Sequence, residues 1–301
     1  MRLLHIQGRP WGDKPLEISP CEFVPSDVPP YIILSHRWRE DEVLFADMSE
    51  PIAAGVRQKK GYAKLESSCR IALQMDVPYL WMDTCCIDKG SSAELSEAIN
   101  SMNEYYANAF QCIVYLDDVH DIETYRGSRT RTLQELIAPQ DVTSYSESWS
   151  RLGTKKSLVS LVALASGIAW TALGDRDVSR GICVSEKMSW AACRVTTRPE
   201  DESYTLMGLF GVNMPPLYGE GRKRAFRRLQ LEIMQTSADH TLFTWNSSIA
   251  NGDMLAPNVS CFSDGAHYHQ YDYEYNFLRQ TKYIKPDFTM TNVGLHIQLP
   301  L

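Results

Sequence analysis

The chain has no Cys-x-x-Cys pair, no cationic-then-apolar leader and no apolar run of transmembrane length. Each absence removes a class of function. The eight cysteines (Cys21, Cys69, Cys85, Cys86, Cys112, Cys183, Cys193, Cys261) follow no regular spacing, so a disulfide framework is not expected, and a zinc site has no paired ligands to start from. His267-x-His269 stands far from every cysteine except Cys261. No metal is expected. Without a leader, the expectation is a cytoplasmic chain with free thiols. The longest apolar stretch, Leu158 to Leu173, is interrupted by Ser160, Ser166 and Gly167 and falls short of the ~20 residues that span a bilayer. It reads as one buried helix, with no membrane contact expected.

Positive charge is also in deficit. Thirty Lys and Arg against 37 Asp and Glu give a formal charge of -7, a field that repels phosphate backbones, so nucleic acid is not an expected partner. Internal repeats and low-complexity tracts are absent too. What is present is an ordinary globular composition, 44% apolar and 22% charged over 301 residues, enough for one large domain or one domain with a smaller attachment.

Six prolines between Pro10 and Pro30 suit short edge strands and turns rather than a helix. Then three apolar runs each stop on polar groups: Tyr31-Ile-Ile-Leu-Ser35 before His36 and Arg37, Tyr79-Leu-Trp-Met before Asp83, and Cys112-Ile-Val-Tyr-Leu116 before Asp117. Runs without alternation are strands buried on both faces. Leu65, Cys69, Ala72 and Met75 fill the first interval at helical spacing. Leu95, Ile99, Met102, Tyr106 and Ala109 fill the second, behind a capping-box start at Ser91-x-x-Glu94. Strand, helix, strand, helix, strand predicts an α/β open, mostly parallel sheet flanked by helices. Ligands bind outside the carboxyl ends of such strands, so Ser35, Asp83 and Asp117 are expected on one functional rim.

The second half reads helical. Thr197-Arg-Pro-Glu200 predicts a capped helix through Leu209, and Phe226, Leu229 and Ile233 share a face of a helix over 222–235. Tyr268, Tyr271, Tyr273, Tyr275 and Phe277, followed by an alternating Thr291–Pro300 segment, predict a small C-terminal β element. The aromatic stretch fits either a partner surface or the inner face of that element. Arg194, Arg198, Glu200 and Asp201 read as a charge network fixing the helical half against the sheet.

The blocks Tyr31-Ile-Ile-Leu-Ser-His-Arg-Trp38, Leu80-Trp-Met-Asp-Thr-Cys-Cys-Ile-Asp-Lys89, Thr132-Leu-Gln-Glu-Leu-Ile-Ala-Pro139, Met188-Ser-Trp-Ala191, Thr196-Thr-Arg-Pro-Glu-Asp201 and Leu217-Tyr-Gly-Glu-Gly221 resemble, in order, the fungal HET (heterokaryon incompatibility) domain. The resemblance extends to Trp245. It implies an effector of regulated cell death in non-self recognition, with domains at 1–245 (an α/β core over 28–140 and a helical extension over 141–245) and a β-rich segment over 246–301. The N-terminal part of that family is similar to TIR domains, some of which hydrolyse NAD. The resemblance therefore implies a TIR-like core with NAD as substrate and no cofactor, a homo-oligomer on activation, and a sensor or NLR-type partner.

By the same resemblance Glu135 is the counterpart of the catalytic carboxylate. Nicotinamide leaves NAD as a neutral ring, so no general acid is required, and an anion that stabilises an oxocarbenium-like ribose suffices. Ser35, His36, Arg37 and Asp83 are the expected substrate-binding groups, with Arg37 the phosphate partner. Glu135 as a helix-start carboxylate or ion-pair partner is the structural alternative. Two departures stand out: Arg131 replaces an expected Trp, where it would grip a phosphate or cost a stacking wall, and Arg39 replaces a Gly. The alternative function is a non-enzymatic module acting by self-association. A cysteine hydrolase built on Cys85 or Cys86 is the third hypothesis, against ordinary buried packing.

Overall fold

The computed structural model describes residues 1–12, 14–48, 55–125, 133–174, 181–246, 253–268, 288–291 and 294–297. The chain forms two compact units, Met1–Arg180 and Gly181–Leu301.

Among the described residues the first unit is built on a seven-stranded sheet, whose spatial order is β2 (Glu17–Glu22), β1 (Arg2–Gln7), β4 (Tyr79–Trp81), β3 (Ile32–Ser35), β5 (Gln111–Tyr115), β6 (Val142–Tyr145) and β7 (Arg151–Thr154). Its centre is parallel: β3 (Ile32–Ser35) lies between β4 (Tyr79–Trp81) and β5 (Gln111–Tyr115), and β6 (Val142–Tyr145) joins β5. These strands are short and covered on both faces, as βαβ crossovers require, and all but β4 carry β-branched residues. All four residues of β3 are buried. The proline-rich start supplies β1 (Arg2–Gln7) and β2 (Glu17–Glu22), antiparallel to each other, with β1 also antiparallel to β4. Pro20 sits on the outermost strand, where a missing N–H costs no ladder bond. At the other edge β7 (Arg151–Thr154) runs antiparallel to β6. The segment 142–154, expected at the start of the helical extension, therefore adds two strands instead.

The crossover helices are α1 (Lys60–Gln74) and α3 (Ser92–Asn108), with a single turn, α2 (Asp83–Cys86), directly after β4. Short helices α4 (Ile122–Tyr125) and α5 (Leu133–Ile137) follow β5. Ser91 caps α3, its hydroxyl accepting from Glu94 N–H at 3.3 Å. The reciprocal half of the box is absent, because the Glu94 carboxylate is spent on Asp88 N–H and the Arg2 guanidinium.

The stretch 158–173 is not one buried helix. Gly167, at φ 73°, closes α6 (Val159–Ser166) in a left-handed cap, and the chain restarts as α7 (Trp170–Gly174). Leu164 (72% exposed) and Trp170 (66%), on either side of the break, face outward.

In the second unit the expected helix from Thr197 to Leu209 is two turns, Asp201–Tyr204 and Met207–Phe210. The reason lies with Glu200, whose carboxylate accepts from Gly219 N–H and Gly221 N–H instead of closing a capping box. The charge network is spent on the same loop: Arg198 lies over the Tyr218 ring, and Tyr218 donates to Asp201 at 3.0 Å. The helix Arg222–Thr236 buries Phe226, Leu229 and Ile233 as its spacing predicts. The strands β8 (Phe288–Thr291) and β9 (Gly294–Ile297) form the C-terminal hairpin. Residues 271–277 of the aromatic stretch lie outside the described residues. No described helix is long and apolar enough to cross a membrane.

Candidate functional site

The chain leaves β3 through Ser35, His36, Arg37 and Trp38, and this exit loop is anchored from α1. Lys64 donates to the Glu42 carboxylate and, at 3.2 Å, to the Arg37 carbonyl, while Glu42 accepts Arg39 N–H at 2.8 Å. Asp41, in the left-handed region at φ 62°, caps α1 by accepting Lys60 N–H at 2.9 Å. Gly61 is required by the close approach: a Cβ there would stand 2.8 Å from Glu42 Cα.

Asp83 stands just beyond β4, on the same rim. Its Oδ2 accepts the Trp38 indole N–H at 2.8 Å, and its Oδ1 lies 3.8 Å from His36 Nε2. Burial raises the Asp83 carboxyl above the usual range, against the opposing pull of Lys89 and the Trp38 bond. The His36 side chain is fully covered, and neither ring nitrogen has a hydrogen-bond partner among the described residues. Burial, reinforced by Lys64 and Lys89, drives its pKa well down, so the imidazole is neutral at neutral pH. The Lys89 ammonium rests 3.0 Å from the centroid of the Trp38 ring.

Glu135 reaches this rim from α5. Leu133, Leu136 and Ile137 bury the helix and leave Glu135 half-buried between them. Its Oε2 accepts the Ser35 hydroxyl. A second partner is Tyr106 on α3, whose phenol is pushed well up by burial, then by the charge of Glu135, with Asp83 also contributing. Tyr106 is 3% exposed. The site thus gathers Ser35, His36, Trp38, Asp83, Tyr106 and Glu135 at the carboxyl ends of β3 and β4.

Arg37 faces Asp118 at 3.6 Å, outside that group of contacts. Arg39 makes a forked pair with Asp117, its Nη2 donating at 3.0 Å. Arg131 lies outside the described residues. Sequence reasoning missed Tyr106, which it placed on an apolar helix face. It also missed Lys89 and Trp38 as site groups, although both stand in the quoted blocks. The signal for Tyr106 was a hydroxyl-bearing ring on the α3 stripe that packs over strand ends.

Cys85 and Cys86 are buried, and burial pushes both thiols up, Cys86 to about 12. Thiols held protonated are poor nucleophiles, which removes the ground for a cysteine hydrolase. All eight cysteines are free. Among the described residues no cluster of His, Cys, Asp and Glu is placed to hold a metal ion. A cavity of about 190 Å³ opens elsewhere in the first unit, lined by Arg2, Phe23, Trp81, Glu94 and Tyr105 among others, and none of the rim residues borders it.

An α/β sheet with a polar rim at its parallel strand ends defines a ligand-site class of fold, not a chemistry. Residues 31–177 match the family model described as Heterokaryon incompatibility protein (HET), and residues 224–256 match one described as Domain of unknown function (DUF8212). The chain is 40% identical over 235 residues to Vegetative incompatibility protein HET-E-1 of Podospora anserina, an alignment that takes in 72% of this chain and 17% of that protein. The chain thus spans a small fraction of that relative's length. No solved structure matches.

Proposed function

We propose that this chain is a fungal HET-type effector of regulated cell death in non-self recognition, and that its first unit hydrolyses NAD to nicotinamide and ADP-ribose. The similarity to a vegetative incompatibility protein supports the biological role. The chemical reading rests on one observation, the meeting of Glu135 with Ser35 beside Asp83 at the sheet's carboxyl rim.

In this reading the bond between ribose C1′ and the ring nitrogen breaks, and its electron pair neutralises the pyridinium. Glu135 stabilises the cationic ribose left behind, held in place by Ser35 and Tyr106. Water then adds at C1′, and its proton is released to solvent. Asp83 binds a ribose hydroxyl, with the covered His36 ring packed behind it. Arg37, exchanging Asp118 for the ligand, binds the diphosphate. The resemblance to TIR-type enzymes makes the active form an assembly, triggered by a sensor or NLR-type partner.

The test is nicotinamide release by concentrated protein incubated with NAD, free and forced to oligomerise. Turnover that Glu135→Ala abolishes is the expected result. Equal rates for the two proteins sink the hydrolase.

A second reading, a non-enzymatic module acting by self-association, is favoured by the outward-facing Leu164 and Trp170. It predicts that Glu135→Ala still kills on expression while Trp170→Asp does not.

A further inference from the structure

Trp38 is gripped from two sides. Its N–H donates to Asp83, and its ring face carries the ammonium of Lys89. That ammonium is buried, and none of its N–H donors finds an acceptor among the described residues. A buried donor group without acceptors is costly, and among the described residues the ring face and the nearby carboxylates compensate it in part. His36, beside it, is fully covered with both nitrogens unpartnered. Trp38 itself stays 49% exposed, within reach of solutes.

We infer that the Trp38 face is a binding platform for a flat cationic ring, held by Lys89 until the ligand displaces it, and that the ligand ring is the pyridinium of an oxidised nicotinamide nucleotide. The identity of that ring rests on the hydrolase reading; the platform does not. An indole that donates its N–H to a carboxylate has a more negative face, and so attracts cations more strongly. Asp83, in its ionised form, adds negative charge at the ring edge. His36, neutral where it is buried, adds no opposing positive charge.

A pyridinium suits this setting better than an ammonium does. It spreads its charge over a plane and has no N–H on the charged nitrogen, so it leaves no donor unsatisfied. Displaced Lys89 regains acceptors, either water or the diphosphate of the same ligand. The exchange also sorts substrate from product. When the C1′–N bond breaks, the bonding pair passes to the ring and nicotinamide becomes neutral, which removes the attraction and favours release. The reduced dinucleotide, with its neutral ring, is refused on the same ground.

The test uses the full chain carrying Glu135→Gln, in which no turnover is expected, and measures binding of N-methylnicotinamide cation and neutral nicotinamide by calorimetry. The cation should bind about tenfold more tightly than the neutral ring, as a partly desolvated cation–π contact allows. Trp38→Leu should erase the preference, Trp38→Phe should retain part of it, and Lys89→Met should tighten the cation alone. No preference at concentrations up to about 10 mM, or cation binding unchanged by Trp38→Leu, overturns the platform. Melting curves at the parent value exclude misfolding. Nicotinamide release by the unmodified chain is read separately. Cation binding without turnover removes the hydrolase and leaves the platform; turnover with a KM indifferent to Trp38→Leu removes the platform and leaves the hydrolase.

Discussion

The hydroxyl of Ser35, the last residue of β3, donates a hydrogen bond to the carboxylate of Glu135 on α5. One partner is fixed by the sheet: Ser35 is 3% exposed and stands in register with Val114 of β5. The other belongs to a five-residue helix, far too short to persist on its own. The bond, together with the packing of α5 on α3, therefore aims the carboxylate. A side chain that a sheet holds in place can stabilise charge without reorganising.

Removing either partner should be felt in different measure. Ser35→Ala leaves the carboxylate present but less constrained, at a cost of about 1–2 kcal/mol in stability. Nicotinamide release should fall about tenfold, the rate equivalent of a similar loss. Glu135→Ala removes the charge itself, and a loss of about 100-fold or more is expected. Initial rates and urea midpoints for both variants check this. A Ser35→Ala protein with full rate and full stability would show the bond to be incidental.

His36 sets an acid limit on the fold. Its ring is held neutral well below its ordinary value, by burial first and then by Lys64 and Lys89. Well above pH 6.5, the ordinary histidine value, folded and unfolded chains are both neutral at this ring and it has no effect. Below that, the unfolded chain takes up a proton that the folded chain refuses, so stability falls as pH falls. Between pH 7 and pH 5 the loss from this one group is at most about 2 kcal/mol, reached when the folded ring takes up no proton over that window. His36→Phe should flatten the pH dependence of the urea midpoint by that amount; an unchanged slope would mean the ring is protonated in place.

Much of this site is legible in the sequence. Unalternating apolar runs that stop on Ser35, Asp83 and Asp117 locate the rim, because a parallel sheet exposes only its strand ends. The helical stripes of α1 and α3 follow from spacing alone. The illegible parts share one cause: side chains with more than one available partner. Glu94 and Glu200 both stand at capping-box positions, yet both carboxylates are claimed by groups distant in sequence, Arg2 in one case and the amides of Gly219 and Gly221 in the other. Gly167 lies within an apolar stretch that reads as continuous, and its left-handed conformation breaks the helix. Tyr106 shows a ring that packs like a hydrophobe while its hydroxyl reaches Glu135. Spacing reports faces, not the ends of side chains.

Gly61 tests the anchoring of the exit loop. On helix propensity alone Gly61→Ala should stabilise α1 by about 1 kcal/mol. The geometry reverses the sign, because the new methyl would meet Glu42 Cα at 2.8 Å and Val43 N at 3.0 Å, both backbone atoms. Relief requires moving the segment that carries Glu42, the partner of Lys64 and of Arg39 N–H. A net destabilisation of about 1–3 kcal/mol follows, measurable as a lowered melting temperature. A higher melting temperature would show that the loop yields freely.

Thiol chemistry separates the cysteines by exposure. Cys193 is exposed and Cys21 partly so, whereas Cys85 and Cys86 are buried, the first with its thiol directed at the Val43 carbonyl at 3.3 Å. With the Cys86 thiol pushed up to about 12, its thiolate is scarce near neutral pH. Iodoacetamide at pH 7.5 should therefore label Cys193 first and Cys21 more slowly, and should leave Cys85 and Cys86 intact until the chain is unfolded in urea. Peptide mapping by mass spectrometry after timed quenching reads the order directly. Fast modification of Cys85 or Cys86 in the folded protein would mean that the turn after β4 opens to solvent, and would return a nucleophilic cysteine to the rim beside Asp83.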